Sequence, residues 1–457
     1  MLPKGIIRKI ERLIGSENVL RSEEDRVCYS YDANTTGRLP DLVIFPRTTD
    51  QISKIMILAN KHGFPVVPRG AGSGMTGGST PVEGGVVVTM TNFDKILEID
   101  LDNLIAVVEP GVINYEFQQE VESLGLFFPP DPASYKYSTI GGNVAECAGG
   151  PRALKYGVMR DYVLGLEVVL PTGEVIETGT QTMKGVVGYD LTRLFVGSEG
   201  TLGIITKVTL KLLPLPEGRG TLLAIFSHIE EAASCVAQII RARILPSALE
   251  FMDYTSLCCA ESYLGAGLPT DAGGSLLIEV DGPRKIIDDQ IRAIDEICLD
   301  QGVREVRVAN DPQEVERLWE IRRCLSQAAY ALNPVKVNED IVVPRSKIPA
   351  LVKGVEEIAR KKRLHIMCFG HAGDGNIHVT IMIGRGEEEM ERAEVGVEEI
   401  FRLTMVLKGS LSGEHGVGMT KARYINMEIG PAALETMKKI KTMLDPNGIL
   451  NPRKIFP

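Results

Sequence analysis

Pro68-Arg-Gly-Ala-Gly-Ser-Gly-Met-Thr-Gly-Gly-Ser-Thr-Pro81 reads as a loop that lets backbone approach a charged group closely. Seven glycines fall between Gly70 and Gly85, a larger entropic cost than a purely structural turn accepts. Gly72, Gly74 and Gly77 formally spell GxGxxG, the dinucleotide pattern. In a Rossmann unit, however, such a loop opens a helix. Here Thr80-Pro81 and Gly84-Gly85 follow, and the chain runs into a β-branched strand, Val86 to Thr89. The Rossmann reading fails, but the physical need is shared: glycines let N–H groups converge on a pyrophosphate as an anion-binding nest.

Working outward, Leu42 to Phe45 reads as a strand, Asp50 to His62 as a helix capped by Thr49 and stopped by Gly63, and Val66-Val67 as the next strand. A second glycine-rich stretch, Ser138-Thr-Ile-Gly-Gly-Asn-Val-Ala-Glu-Cys-Ala-Gly-Gly150, follows the Pro129-Pro130-Asp131-Pro132 turn. A third, Gly197-Ser-Glu-Gly-Thr-Leu-Gly-Ile-Ile-Thr206, leads into a strand through Lys211. Ordinary turns explain any one of these better than all three. Three glycine loops within one domain length imply an extended, phosphate-bearing cofactor held by backbone.

At 457 residues the chain exceeds one hydrophobic core and suits two or three domains. A net charge of -10 disfavours nucleic acid, whose binding needs clustered Lys and Arg. The basic run Arg360 to Arg363 ends a helical pattern begun at Ile348 and complements a helix C-terminus. Cys28, Cys147, Cys235, Cys258, Cys259, Cys298, Cys324 and Cys368 are scattered with no CxxC pair, so they read as reduced thiols outside any zinc or iron–sulfur cage. Ile6, Ile10, Leu13 and Ile14 recur at helical spacing amid charge, unlike a signal peptide, and no apolar run is long enough to span a bilayer. A cytoplasmic location is expected.

The densest chemistry lies in Phe369-Gly-His-Ala-Gly-Asp-Gly-Asn-Ile-His378. Asp374-Gly375 is a two-residue hairpin signal between apolar runs, Leu364 to Phe369 and Ile377 to Ile383. That turn sets His371 directly opposite His378, with Cβ atoms about 5 Å apart on one face. Glu414-His415, within Ser412-Gly-Glu-His-Gly-Val-Gly418, adds a carboxylate and another imidazole. A His2Glu set with open positions suits Zn2+, Fe2+ or Mn2+; a metal-free polar network is the plainer alternative.

PRGAGSGMTGG, STIGGNVAECAGG, GSEGTLGIIT and DPNGILNPRKIF together resemble the FAD-linked 2-hydroxy acid dehydrogenase family of glycolate oxidase and D-lactate dehydrogenase, from about Asp41 to Phe456. The resemblance implies an α+β chain with a vanillyl-alcohol-oxidase/PCMH-type FAD-binding domain over residues 1–215. A cap domain with an antiparallel sheet then covers 216–410, and 411–457 returns to the FAD domain. It implies noncovalent FAD, since the first loop lacks the His that tethers flavin in some relatives. Pro68, Arg69, Gly70, Ala71, Gly72, Ser73, Gly74 and Gly77 then face the pyrophosphate, and Asp131, Thr139, Gly142, Asn143, Glu199, Ile205 and Asn451 surround the rest.

By the same resemblance His371, His378 and Glu414 hold a divalent metal and His415 sits by the flavin. Oxidising a 2-hydroxy acid requires loss of the hydroxyl proton as hydride leaves C2, so a metal that acidifies the hydroxyl and a His415 base suit the chemistry. Arg322 matches the family's substrate-carboxylate arginine, with Arg323 its competitor, and Lys336 offers a second positive charge. D stereochemistry comes from the resemblance. With no second redox motif in the chain, an external electron acceptor is expected, and the resemblance implies an electron-transfer flavoprotein, an iron–sulfur subunit or a quinone-linked assembly. Two rivals stand beside this reading: another alcohol oxidation on the same fold, and a noncatalytic FAD-binding relay subunit.

Overall fold

The computed structural model describes residues 2–456, and the chain divides into two compact units. The first comprises Met1–Gly149, Val158–Leu215 and Glu414–Pro457. Its first sheet has Leu42–Ile44, Val86–Thr89 and Val66–Arg69 as parallel neighbours in that order, with Val19–Leu20 antiparallel at the edge. These strands are buried on both faces, which is why they are runs of β-branched residues rather than alternating ones. Val43, Val67 and Val87 pack one side. Ile44, Val66 and Val88 pack the other against Ile52, Ile55 and Met56 and the N-terminal helix Lys4–Ile14.

The crossover helix is Thr49–His62, and its cap is Thr48 rather than Thr49, because the Thr48 hydroxyl accepts the Gln51 N–H at 3.3 Å. Gly63 closes it at φ 66°. Phe45 lies outside the strand, its N–H donated to the Asn18 carbonyl. The second glycine stretch also departs from expectation. Ile140–Glu146 is a short helix capped by Thr139, whose hydroxyl accepts the Gly142 N–H at 3.2 Å. A good cap offsets the helix penalty of two glycines, and Gly141 leaves the space that a side chain would need against Pro110.

A five-stranded antiparallel sheet completes this unit, in the order Ile96–Asp100, Ile105–Val108, Ile204–Lys211, Val163–Val169, Val175–Gly179. The C-terminal segment returns to the first sheet: Val66 donates to the Ile449 carbonyl and accepts from the Asn451 N–H, each at 2.8 Å.

The second unit comprises Gly150–Gly157 and Pro216–Gly413. Its seven strands, all antiparallel, run Val303–Val308, Gly218–Phe226, Gly274–Gly282, Ala248–Asp253, His365–His371, Asn376–Ile383, Val335–Val342. One face buries Leu223, Leu277, Met252, Met367 and Phe369 against Leu257, Leu318, Ile321 and Leu325 from the helices Tyr254–Leu264, Pro312–Arg323 and Leu325–Ala328. On the other, Gly220 gives room to Ile287 and Ile291 of Arg284–Asp300. Gly150–Gly157 falls in this unit, although the sequence places it with residues 1–215. Lys155 Nζ pairs with Asp281 Oδ1 at 2.5 Å and the Tyr156 hydroxyl bonds both Asp281 oxygens. Among the described residues no helix is long and apolar enough to cross a membrane.

Candidate active site

In the first unit, the loop after Val66–Arg69 is held from its inner side. Asp32 Oδ2 accepts the Gly77 N–H at 2.6 Å. Lys454 Nζ reaches the carbonyls of Gly77 and Thr80 at 2.5 and 2.8 Å. Burial lowers the Lys454 ammonium to about 8 against the pull of Asp32, Glu199 and Glu146, and raises the Asp32 carboxyl although three backbone N–H groups oppose it. The Arg69 guanidinium also turns inward. It donates to the Tyr31 carbonyl at 2.8 Å, lies over the Tyr29 ring and occupies the space a Cβ at Gly72 would need.

Ala71 is exposed, and Gly70, Gly72, Ser73 and Gly74 are half-buried. Among the described residues none of these five N–H groups has an internal acceptor. Consecutive unsatisfied donors on a glycine loop form an anion nest, which fits a pyrophosphate. Asn451 links this loop to the third: its Nδ2 donates to the carbonyls of Gly78 and Glu199, each at 2.8 Å, while its buried Oδ1 has no partner among the described residues. Pro68 lies against Gly200, and Ile205 is buried in the strand Ile204–Lys211. Asn143 donates to Asn114 Oδ1 at 3.1 Å, and Asp131 is half-buried in the turn after Pro130.

Glu199, expected beside the cofactor, holds the segment that follows His415. At φ 52° its buried carboxylate accepts the N–H groups of Val417 and Gly418 at 2.8 and 2.6 Å. Burial raises its pKa against those two N–H bonds. The Thr76 hydroxyl donates to the His415 carbonyl at 3.1 Å. The segment bearing Glu414 and His415 is thus clamped between the first and third glycine loops, and Glu414 Oε2 stands 3.1 Å from where a Cβ at Gly149 would lie.

In the second unit, the hairpin differs in register from the two-residue turn. Phe369 lies opposite His378 and His371 opposite Asn376, so the turn is the four residues Ala372-Gly-Asp-Gly375. The His371 carbonyl accepts from both Asp374 and Gly375, and Gly375 at φ 92° closes against the Val343 backbone, where a side chain would collide. The shift is two residues, so both histidines keep the same face. They become diagonal neighbours with ring centroids 5.3 Å apart at 85°, and each offers a nitrogen within 4.8 Å of the other.

Beside them Glu250 bridges two partners. Its Oε1 lies 2.6 Å from His371 Nδ1 and its Oε2 accepts from Arg322 Nε at 2.7 Å. Burial alone raises the Glu250 carboxyl, but the attraction of His371 and Arg322 and their hydrogen bonds leave it below the usual range. The Arg322 guanidinium stacks 4.8 Å above the Phe369 ring. Arg323 points away, bonded to Glu316 at 2.5 Å in solvent. Lys336 shares the hairpin's face but lies four residues along from Asp340, the residue opposite His378. Its Nζ donates to Ser326 Oγ at 2.8 Å, and burial lowers its pKa. Asp340 accepts the Gly413 N–H at 2.7 Å, fixing the residue that precedes Glu414 in the chain. Sequence reasoning missed Glu250. Its signal is a lone carboxylate within the apolar run Ala248-Leu-Glu-Phe-Met252, where an unpaired charge is prohibitively costly.

Two family models match the chain. A family model described as an FAD binding domain matches residues 40–179, and one described as FAD linked oxidases, C-terminal domain, matches 215–455. The chain is 47% identical to the glycolate oxidase subunit GlcD of Bacillus subtilis (strain 168), over 100% of this chain and 97% of that protein. It is 36% identical to the D-lactate dehydrogenase of Anaerostipes hadrus, over 91% of this chain and 89% of that protein. Among solved structures, p-cresol methylhydroxylase with substrate bound matches at a TM-score of 0.80 and 19% identity, over 99% of this chain and 97% of that one. That likeness establishes the α+β fold of the vanillyl-alcohol-oxidase/PCMH type. With a relative at 47% identity along its whole length, this chain belongs to the family of FAD-linked oxidases.

Proposed function

We propose that the protein oxidises a D-2-hydroxy acid, such as D-lactate or glycolate, to the 2-oxo acid and passes the electrons to a partner protein. The observation that carries this reading is the convergence of His371 and His378 beside a half-buried, stacked Arg322 on one sheet face. The relatives named glycolate oxidase subunit and D-lactate dehydrogenase support the substrate class.

In this reading the N–H groups of Gly70 to Gly74 take the pyrophosphate of noncovalent FAD, with Gly77, Thr139, Gly142, Asn143 and Asn451 supporting that surface. His371, His378 and Glu414 are the ligands for a divalent ion, Zn2+, Fe2+ or Mn2+. When bound, FAD supplies the hydride acceptor and the ion supplies Lewis acidity at the hydroxyl. The two terminal nitrogens of Arg322 take the substrate carboxylate, since its Nε is committed to Glu250. His415 accepts the hydroxyl proton, its backbone fixed by Thr76 and by the Glu199 clamp. Lys336 suits a polar group on a longer acid. The relative's name as a subunit supports a companion protein that takes the electrons, an electron-transfer flavoprotein or an iron–sulfur subunit. Eight free cysteines support a reducing, cytoplasmic setting.

The test is turnover with an artificial electron acceptor across D- and L-2-hydroxy acids and simple alcohols. Activity confined to D-2-hydroxy acids is expected. Oxidation of alcohols lacking the carboxylate moves the reading to another reaction of the fold, and no turnover of any of them moves it to a relay subunit.

A further inference from the structure

We propose that Glu250 is a positioning residue that couples the ligand ring of His371 to the carboxylate-binding edge of Arg322, so that one buried side chain sets both. The inference rests on the function proposed above and adds a residue to it.

Glu250 sits in Ala248–Asp253, six residues that are all buried. Its own exposure is 0%, so a charge there is tolerated only if both oxygens are matched by donors. They are matched by two different groups. A carboxylate only accepts hydrogen bonds, so His371 contributes Nδ1–H at 2.6 Å. That contact selects the tautomer with its lone pair on Nε2, the arrangement in which a carboxylate orients a metal-ligating histidine.

The second oxygen takes Nε–H of Arg322 at 2.7 Å. Five N–H donors in a planar fork then divide cleanly: one edge serves Glu250, and the terminal pair presents the geometry a carboxylate prefers. Stacking on Phe369 at 4.8 Å fixes the plane of that fork, and Phe369 itself lies directly opposite His378. Glu250 lies directly opposite His371 in the sheet, so the ladder sets the first contact and the helix Pro312–Arg323 brings in the second. A 2-hydroxy acid carries its hydroxyl and carboxylate on adjacent carbons. A single rigid bridge between the groups that receive them holds that spacing.

The test uses the full-length flavoprotein and two variants. E250Q keeps the volume but offers one acceptor and one NH2 against two N–H donors. His371 can answer only by moving its proton to Nε2, and Arg322 cannot answer at all. Mn2+ binding, followed by loss of the free-ion magnetic resonance signal, is expected to weaken by about 10- to 100-fold. The KM for the hydroxy acid is expected to rise at least about tenfold, with flavin content unchanged. E250D keeps the charge on a shorter stem and should recover part of the Mn2+ affinity lost in E250Q.

A folded E250Q with Mn2+ affinity and KM within twofold of the parent would overturn the proposal and leave Glu250 a structural residue. Should E250Q not fold, E250D decides alone: weakened Mn2+ binding and raised KM support the coupling, and parent-like values overturn it. If the parent itself binds no Mn2+ and oxidises no 2-hydroxy acid, the proposed function fails and takes this inference with it, a result distinct from an unchanged E250Q.

Discussion

His371 and His378 meet edge to face, ring centroids 5.3 Å apart, although they are diagonal rather than opposite across their hairpin. Diagonal partners are about 7 to 8 Å apart at the backbone, a span that two imidazoles cross by leaning together. The residue opposite each His is engaged elsewhere, since Phe369 carries the Arg322 stack and Asn376 donates to the Ile341 carbonyl. Replacing either His by Ala is expected to abolish stoichiometric binding of a divalent ion and to slow substrate oxidation at least about 100-fold, while FAD stays bound. Metal analysis with a flavin spectrum of the same sample checks this.

Arg322 and Arg323 are adjacent on one helix yet stand in different environments, one half-buried, stacked and ion-paired to buried Glu250, the other in solvent on Glu316. R322K removes the fork and leaves Glu250 a poorer partner, so kcat/KM for the hydroxy acid should fall about 10- to 100-fold, from a loss of about 1.5 to 3 kcal/mol in charge-assisted bonding. R323K should stay within about twofold, as surface ion pairs contribute little. Steady-state kinetics on the pair decides which arginine anchors the acid.

Glu199 holds the N–H groups of Val417 and Gly418 from within the third glycine loop. E199A leaves two donors without an acceptor, at about 1 to 3 kcal/mol each. A lower thermal midpoint and slower flavin reduction are expected together, because the same segment carries His415. An unchanged reduction rate in a destabilised protein would show that the clamp serves stability alone.

Asp253 caps the helix Tyr254–Leu264 and accepts the Cys368 N–H, and burial raises its carboxyl to about 6. Its unfolded value is near 4, so the native state binds more protons between the two. The stability tied to that proton is complete below about pH 4 and lost as pH rises through about 6. Relative to the parent, D253N should lose about 1 to 1.5 kcal/mol less between pH 5 and pH 7.5, even though its cap is weaker throughout. Urea unfolding across that range reads the difference in slope.

Much of the first unit is legible in the sequence because its signals are local. Gly63 ends its helix, and Val86 to Thr89 forms a strand buried on both faces. The cap at Thr48, the helix at Ile140–Glu146 and the four-residue turn at Ala372 to Gly375 differ from expectation where neighbouring residues compete for one role. Two adjacent threonines can each cap, and Asp-Gly closes turns of more than one length. In the site, the two histidines are legible as a pair because a two-residue slip preserves the face. Arg322 over Arg323 and the role of Glu250 are not separable in sequence, since both depend on Glu250 meeting the helix Pro312–Arg323 from 72 residues away. The post of Glu199, 218 residues from Val417, is invisible for the same reason.

Anaerobic titration of the flavin's visible absorbance with D- and L-2-hydroxy acids tests metal-assisted hydroxy acid oxidation most directly, performed on metal-loaded protein, after chelation and after metal readdition. Bleaching by a D-2-hydroxy acid, lost on chelation and restored by a divalent ion, is the expected result. A metal-loaded yellow protein that no 2-hydroxy acid bleaches, or one that bleaches equally well after chelation, would contradict it.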